Sequence, residues 1–208
     1  KNTKIIFKYL NSLPFINFMQ RLTSIQEKLL ADSGLSGGGL HEIKKGGVLK
    51  VHTDFNKHPF KKLDRRINVL IYLNKDWKQG YGGHLELWNK NMNKCVQKFL
   101  PTFNTMVIFS TNDFTNHGHP NHLRCPKNTS RKSIATYYFS KGRPKKEILK
   151  IYKKNRTEFK NRAGISDDVL IKKEYIKNII RNLSFYQSIK NFEKKYFRTG
   201  NSKRRRKN

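Results

Sequence analysis

Between Leu40 and Phe139 the chain strings together short stretches patterned like β-strands, divided by Gly, Pro and Asn, with little helical periodicity among them. Several short strands at this spacing indicate an all-β sandwich or barrel. The segment Arg66-Ile67-Asn68-Val69-Leu70-Ile71-Tyr72-Leu73-Asn74 is apolar on both faces, as a central strand is. Leu40 to Phe55 reads as two short strands joined at Lys45-Gly46-Gly47, and His84-Leu85-Glu86-Leu87-Trp88 alternates like a half-buried one. Cys95 to Phe99, Thr105 to Ser110 and Lys132 to Phe139 complete the series. The stretch from Thr111 to Ser130, rich in His, Asn and Pro, is expected to be a polar loop.

The flanks have a different texture. Residues 14 to 30 place Phe15, Phe18, Leu22, Ile25 and Leu29 at helical spacing behind Pro14, which predicts a helix lying against a sheet. Ser166-Asp167-Asp168 opens a second helical pattern, with Leu170, Ile171, Ile176, Ile179, Ile180 and Leu183 as its apolar stripe. The chain closes on Lys203-Arg204-Arg205-Arg206-Lys207, a run expected to be disordered. The expected organisation is therefore a β domain over 1–142 and a basic helical extension over 143–208.

The formal net charge of +31 favours polyanions or acidic proteins as partners and leaves the fold open. Residues 141 to 208 hold 23 basic against 6 acidic side chains, so the charge is densest in the extension without being confined to it. Cys95 and Cys125 form no disulfide framework and show no CxxC spacing, which makes a reducing, cytoplasmic setting the default. No apolar run reaches the length of a membrane span. The chain begins at Lys1 rather than Met, as a fragment or a trimmed product does, and a signal on upstream residues stays open.

Within the β domain, Lys50-Val51-His52-Thr53-Asp54-Phe55 carries the first chemical signal. Residues two apart on a strand share a face, so His52 and Asp54 can address one metal ion together. An imidazole and a carboxylate are two thirds of the facial triad used by non-haem Fe(II) oxygenases, which leaves one histidine to find. His84, His117, His119 and His122 are the candidates. His117 is preferred, because it follows the Met106–Ser110 strand and Gly118 beside it permits close approach, while His119 competes one strand repeat away.

A second signal is Arg131-Lys132-Ser133, fourteen residues beyond His117. A guanidinium grips a carboxylate through two parallel charge-assisted bonds, and Ser133, two residues on, faces the same side. That pairing suits a dicarboxylate cosubstrate. Tyr72 places a hydroxyl in an otherwise apolar strand, where the far carboxylate of the same molecule would satisfy it. Each feature alone has a plainer explanation: a surface histidine, one cation among many, a core tyrosine.

Together, in the order His52-x-Asp54, Arg66 to Asn74 with Asp76-Trp77, Gly82-Gly83-His84-Leu85-Glu86-Leu87-Trp88, His117-Gly118-His119-Pro120 and Arg131-Lys132-Ser133 with Tyr137-Tyr138-Phe139, they resemble the prolyl-hydroxylase-like branch of the Fe(II)- and 2-oxoglutarate-dependent dioxygenases. The resemblance covers roughly residues 20 to 140. It implies a double-stranded β-helix, or jelly roll, with His52, Asp54 and His117 on Fe(II) and with Arg131, Tyr72 and Ser133 around 2-oxoglutarate. It also implies O2 as oxidant, ascorbate as an accessory, release of succinate and CO2, and hydroxylation of a protein or peptide substrate at proline. Asp54 stands where the related halogenases have a small residue, which favours hydroxylation.

Two other readings stay open at this level. His52, Asp54, His117, His119, His122 and Cys125 could be assembled into a zinc site, although no familiar zinc spacing is present. Alternatively, the basic extension could carry the protein, with an inactive or a working β domain, to nucleic acid or a ribonucleoprotein. Phe55, Trp88 and Tyr137 are candidates to line the site.

Overall fold

The structure, a computed structural model, describes residues 2–144, 147, 156–165, 167 and 176. The chain divides into two units, Lys1–Ser166 and Asp167–Asn208, and the strands named here lie in the first. Two helices, α1 (Asn2–Leu10) and α2 (Leu13–Thr23), precede the strands β1 (Leu30–Ala31), β2 (Gly39–Lys44), β3 (Leu49–Thr53), β4 (Asp64–Tyr72) and β5 (Leu85–Trp88). There follow β6 (Cys95–Phe99), β7 (Met106–Ser110), β8 (Asn116–His119), β9 (Ser130–Ser140) and β10 (Glu158–Phe159).

One sheet runs β2–β9–β4–β7, with β1 also on β9, and the other runs β10–β3–β8–β5–β6. All the paired strands are antiparallel. If β2 to β9 are counted as strands one to eight, the sheets read one-eight-three-six and two-seven-four-five. That is the strand order of a jelly roll, in which the chain passes back and forth between two sheets.

β4 is buried on both sides because both faces have something to cover them. Ile67 and Val69 pack outward against Leu10, Phe15 and Met19 of the helices and against Ile134 and Tyr138 of β9. Each such side chain taken fully out of water contributes about 1.5–3 kcal/mol. The Tyr138 hydroxyl donates a 2.6 Å hydrogen bond to the Leu10 carbonyl and pins the end of α1 to the sheet. On the opposite face Tyr72 packs with Leu85, Val107 and Phe109 between the sheets.

The helix predicted over 14–30 stops at Thr23, where Ser24 takes a left-handed φ of 51°. Ile25 and Leu29 still join the core cluster, but from extended backbone held by a 2.8 Å hydrogen bond from the Leu29 amide to Gln20 Oε1. Of the predicted apolar stripe, Phe15, Ile25 and Leu29 reach the core, whereas Phe18 and Leu22 are exposed on α2.

The stretch predicted to be a polar loop, Thr111 to Ser130, contains β8, and all four of its residues are buried. Asn, His, Gly and His give no strand signal, because this strand carries polar side chains and a glycine rather than branched apolar residues. β10 adds to the edge of β3, with Phe159 opposite His52, so part of the stretch assigned to the helical extension belongs to the first unit. Apart from Asp167 and Ile176, the predicted C-terminal helix from Ser166 and the basic end lie outside the described residues.

Candidate active site

His52 on β3 and His117 on β8 are direct partners in the antiparallel register, with ring centroids 4.5 Å apart. Asp54, just past the end of β3, turns its carboxylate between them. Its Oδ1 is 3.6 Å from His52 Nε2, and its Oδ2 is 3.3 Å from His117 Nε2. One ligand atom from each of the three lies within 4.8 Å of the others. Both Nδ1 atoms face main-chain carbonyls, His52 to Lys50 at 2.8 Å and His117 to Thr115 at 3.1 Å. A proton donated there leaves each Nε2 with its lone pair free for a metal.

Why β8 can come this close to β3 is visible at Gly118. A Cβ on it would stand 2.7 Å from the Leu49 carbonyl oxygen and 2.9 Å from that of Lys50, so only glycine fits between the two histidine-bearing strands.

A second layer of side chains fixes Asp54. Arg65 Nη2 and Asn68 Nδ2 both donate to its Oδ2, at 2.9 and 2.6 Å. Asn68 Oδ1 in turn accepts from Arg65 Nε at 2.8 Å and from Thr111 Oγ1 at 3.0 Å. The Arg65 guanidinium lies 3.4 Å from the Tyr137 ring centroid and 4.3 Å from that of Phe55, so these two residues reach the site by clamping a cation. Burial pushes the Asp54 carboxyl upward, but Arg65 and the His117 and His52 imidazoles outweigh it and hold the group well below the usual carboxylate range.

Arg131 and Tyr72 also meet. They come from neighbouring strands of the other sheet, with Tyr72 opposite Ser133 in the register, and Arg131 Nη2 is 3.2 Å from the Tyr72 hydroxyl. Arg131 Nε donates to the Gly83 carbonyl at 2.8 Å. Gly83 has a φ of +72°, and a Cβ there would strike Leu123 Cδ2 at 2.6 Å and press on Arg131 Cδ at 3.0 Å. The guanidinium is 5% exposed, and among the described residues no carboxylate pairs with it. A buried cation without a counter-charge is costly, and the arrangement is one that can take an anion. Burial also raises the Tyr72 hydroxyl above its ordinary value and so keeps it a donor.

The remaining candidates lie elsewhere. His84 is half-buried just ahead of β5, and His122 is exposed with Nδ1 2.6 Å from the Gly46 carbonyl. Cys125 packs with Trp77 and Leu123, its thiol directed to the Thr129 carbonyl. Ser133 is buried on β9. His119 is buried on β8 but stands outside the group formed by His52, Asp54 and His117.

Sequence reasoning missed Arg65, Asn68 and Thr111 as the support of Asp54. Asn68 carried a usable signal, a polar side chain inside an apolar strand and four residues before Tyr72, hence on the same face. Arg65 carried none in so basic a chain.

Comparison with known proteins fits this geometry. Residues 38–139 match the family model described as the 2OG-Fe(II) oxygenase superfamily. Among solved structures, a Trichoplax adhaerens prolyl hydroxylase in complex with a hypoxia inducible factor oxygen degradation domain peptide fragment is 27% identical, at a TM-score of 0.39 over 49% of this chain and 42% of that one. A Pseudomonas putida prolyl-4-hydroxylase is 17% identical, at a TM-score of 0.41 over 65% of this chain and 66% of that one. A prolyl 4-hydroxylase of Phytophthora capsici is 19% identical, at a TM-score of 0.40 over 65% and 42%. The matched part thus spans less than half of the Trichoplax chain.

The family match runs from the loop before the first strand of the jelly roll to the penultimate residue of its last, and the positions carrying the pattern's chemistry converge inside that roll. Over residues 38–139 this chain matches the 2OG-Fe(II) oxygenase superfamily, and the order of its motifs is prolyl 4-hydroxylase-like.

Proposed function

We propose that the protein is a 2-oxoglutarate-dependent dioxygenase that hydroxylates a C–H bond of a protein or peptide substrate, with a prolyl residue as the target. One observation carries this reading: a buried guanidinium with no carboxylate partner among the described residues shares the inside of one jelly roll with a His-Asp-His group. An anion holder and a metal holder at one site suit a metal enzyme whose cosubstrate is a dicarboxylate. The prolyl target rests on the motif order alone.

The residues present fit both groups. Two imidazoles with free Nε2 atoms and an ionised carboxylate are a donor set for Fe(II), and Arg131 with Tyr72 is a fork-and-hydroxyl cradle for the distal carboxylate of 2-oxoglutarate. When bound, iron, keto acid and O2 supply the oxidising power, with succinate and CO2 as by-products. The protein's own part is positioning. The Arg65–Asn68–Thr111 network holds Asp54 ionised and in one orientation, and the carbonyls of Lys50 and Thr115 fix the tautomers of His52 and His117. No side chain of the site needs to act as acid or base in this scheme, and ascorbate enters only as an accessory reductant.

A cavity of about 240 Å³ opens beside Asp54, lined among others by Thr53, Lys90, Asp113, Phe114 and Asn116. Its mixture of charge, amide and one aromatic ring suits a peptide segment better than a purely apolar ligand. Among the described residues no helix is long and apolar enough to cross a membrane. The test supplies Fe(II), 2-oxoglutarate and O2, with and without ascorbate, and measures succinate alongside mass spectra of proline-containing peptides. Succinate formation coupled to a gain of one oxygen on a prolyl residue is expected. Oxidised nucleobases in its place would favour the nucleic-acid reading, for which the net charge of +31 is the motive.

A further inference from the structure

His119 has a place in the fold but no role in the site as described. It is 2% exposed on β8, and among the described residues neither ring nitrogen has a hydrogen-bond partner. Alternation along the strand puts its side chain on the face of His117, inside the roll. Both Arg131 and His52 lie within electrostatic reach of the ring. β8 is locked against β3 at Gly118, where the Leu49 and Lys50 carbonyls leave no room for a Cβ, so the ring is carried by a strand with little freedom to shift.

A buried imidazole with both nitrogens unbonded is worse for stability than an apolar side chain of that size, so a polar occupant is implied. Arg131 cannot be the whole answer, because Arg131 is itself a cation without a counter-charge. Donors clustered around empty acceptor space select an anion. On the reading above, the anion is the keto-acid cosubstrate. We infer that His119 is a positioning residue for that cosubstrate, donating a ring N–H to its distal carboxylate alongside Arg131 and Tyr72. This assigns His119 to the cosubstrate and His117 to the metal.

The experiment compares wild type, His119→Leu and His119→Gln, each loaded anaerobically with Fe(II). Each is titrated with 2-oxoglutarate and, separately, with 2-oxopentanoate, which keeps the keto-acid end and lacks the distal carboxylate. Binding is read by calorimetry and by the visible charge-transfer band, without turnover. His119→Leu is expected to weaken 2-oxoglutarate roughly tenfold or more, the worth of one hydrogen bond to a charged group. Binding of 2-oxopentanoate and of Fe(II) should stay within about twofold, and His119→Gln should recover most of the loss. Equal weakening of both keto acids would mean that His119 merely supports the fold, and loss of Fe(II) would make it a metal ligand; either overturns the inference. If wild type bound no 2-oxoglutarate at all, the cosubstrate reading itself would fall, and the role of His119 with it.

Discussion

Arg65 and Asp54 form an ion pair in which the guanidinium Nη2 lies 2.9 Å from the carboxylate Oδ2, with the guanidinium fully buried between Phe55 and Tyr137. The pair leaves Oδ1 without that tether, on the His52 side, and it explains how a buried carboxylate stays ionised with two imidazoles beside it.

Removing the cation should therefore expose the cost of the charge. Arg65→Met is expected to lose about 3 kcal/mol of stability, the usual result of leaving a buried partner unpaired. Because the folded-state pKa of Asp54 is depressed, its contribution to stability is full above the ordinary value of 3.8 and is lost as pH falls through the depressed value. In the variant that loss should begin at higher pH. Urea midpoints of both proteins, from neutral pH down to about pH 3, measure the difference.

Arg131 faces the opposite test, since on the proposed function its counter-charge would come with 2-oxoglutarate. Arg131→Met is expected to weaken 2-oxoglutarate roughly 100-fold, as truncating one side of a buried charge pair does, with Fe(II) affinity unchanged. Tyr72→Phe, which removes the hydroxyl 3.2 Å from Arg131 Nη2, should cost closer to tenfold. The KM for 2-oxoglutarate in a succinate assay separates the two variants.

Gly118→Ala probes the approach of β8 to β3. The added Cβ would meet two carbonyl oxygens at 2.7 and 2.9 Å, so the strands must part. A loss of about 1–3 kcal/mol is expected, together with weakened metal binding, because His117 moves with the strand. Thermal melts and Fe(II) titration of the same preparation test whether the two effects travel together.

Much of this was legible in the chain, for identifiable reasons. Short apolar segments between turn residues mark strands well when their side chains pack into a core, as at Ile67, Val69 and Val107. His52 could be paired with Asp54, and Arg131 with Ser133, because strand alternation translates a spacing of two into a shared face, and Tyr72 stood out as a hydroxyl in an apolar strand. β8 was not, since Asn116, His117, Gly118 and His119 include no branched apolar residue, and their composition reads as loop. Arg65 was hidden for the same reason in reverse: among 45 basic residues nothing distinguishes a buried guanidinium from an exposed one until the fold places Tyr137 and Phe55 around it.

The proposed activity requires His52, Asp54 and His117 to hold a single Fe(II). Anaerobic Fe(II) titration by calorimetry, without 2-oxoglutarate so that cosubstrate affinity does not enter, tests that most directly. Wild type should saturate at about one iron per chain, with binding weakened roughly 100-fold in Asp54→Ala and His117→Ala and retained in His119→Ala. Undiminished binding in Asp54→Ala and His117→Ala, or its loss in His119→Ala alone, would contradict the account.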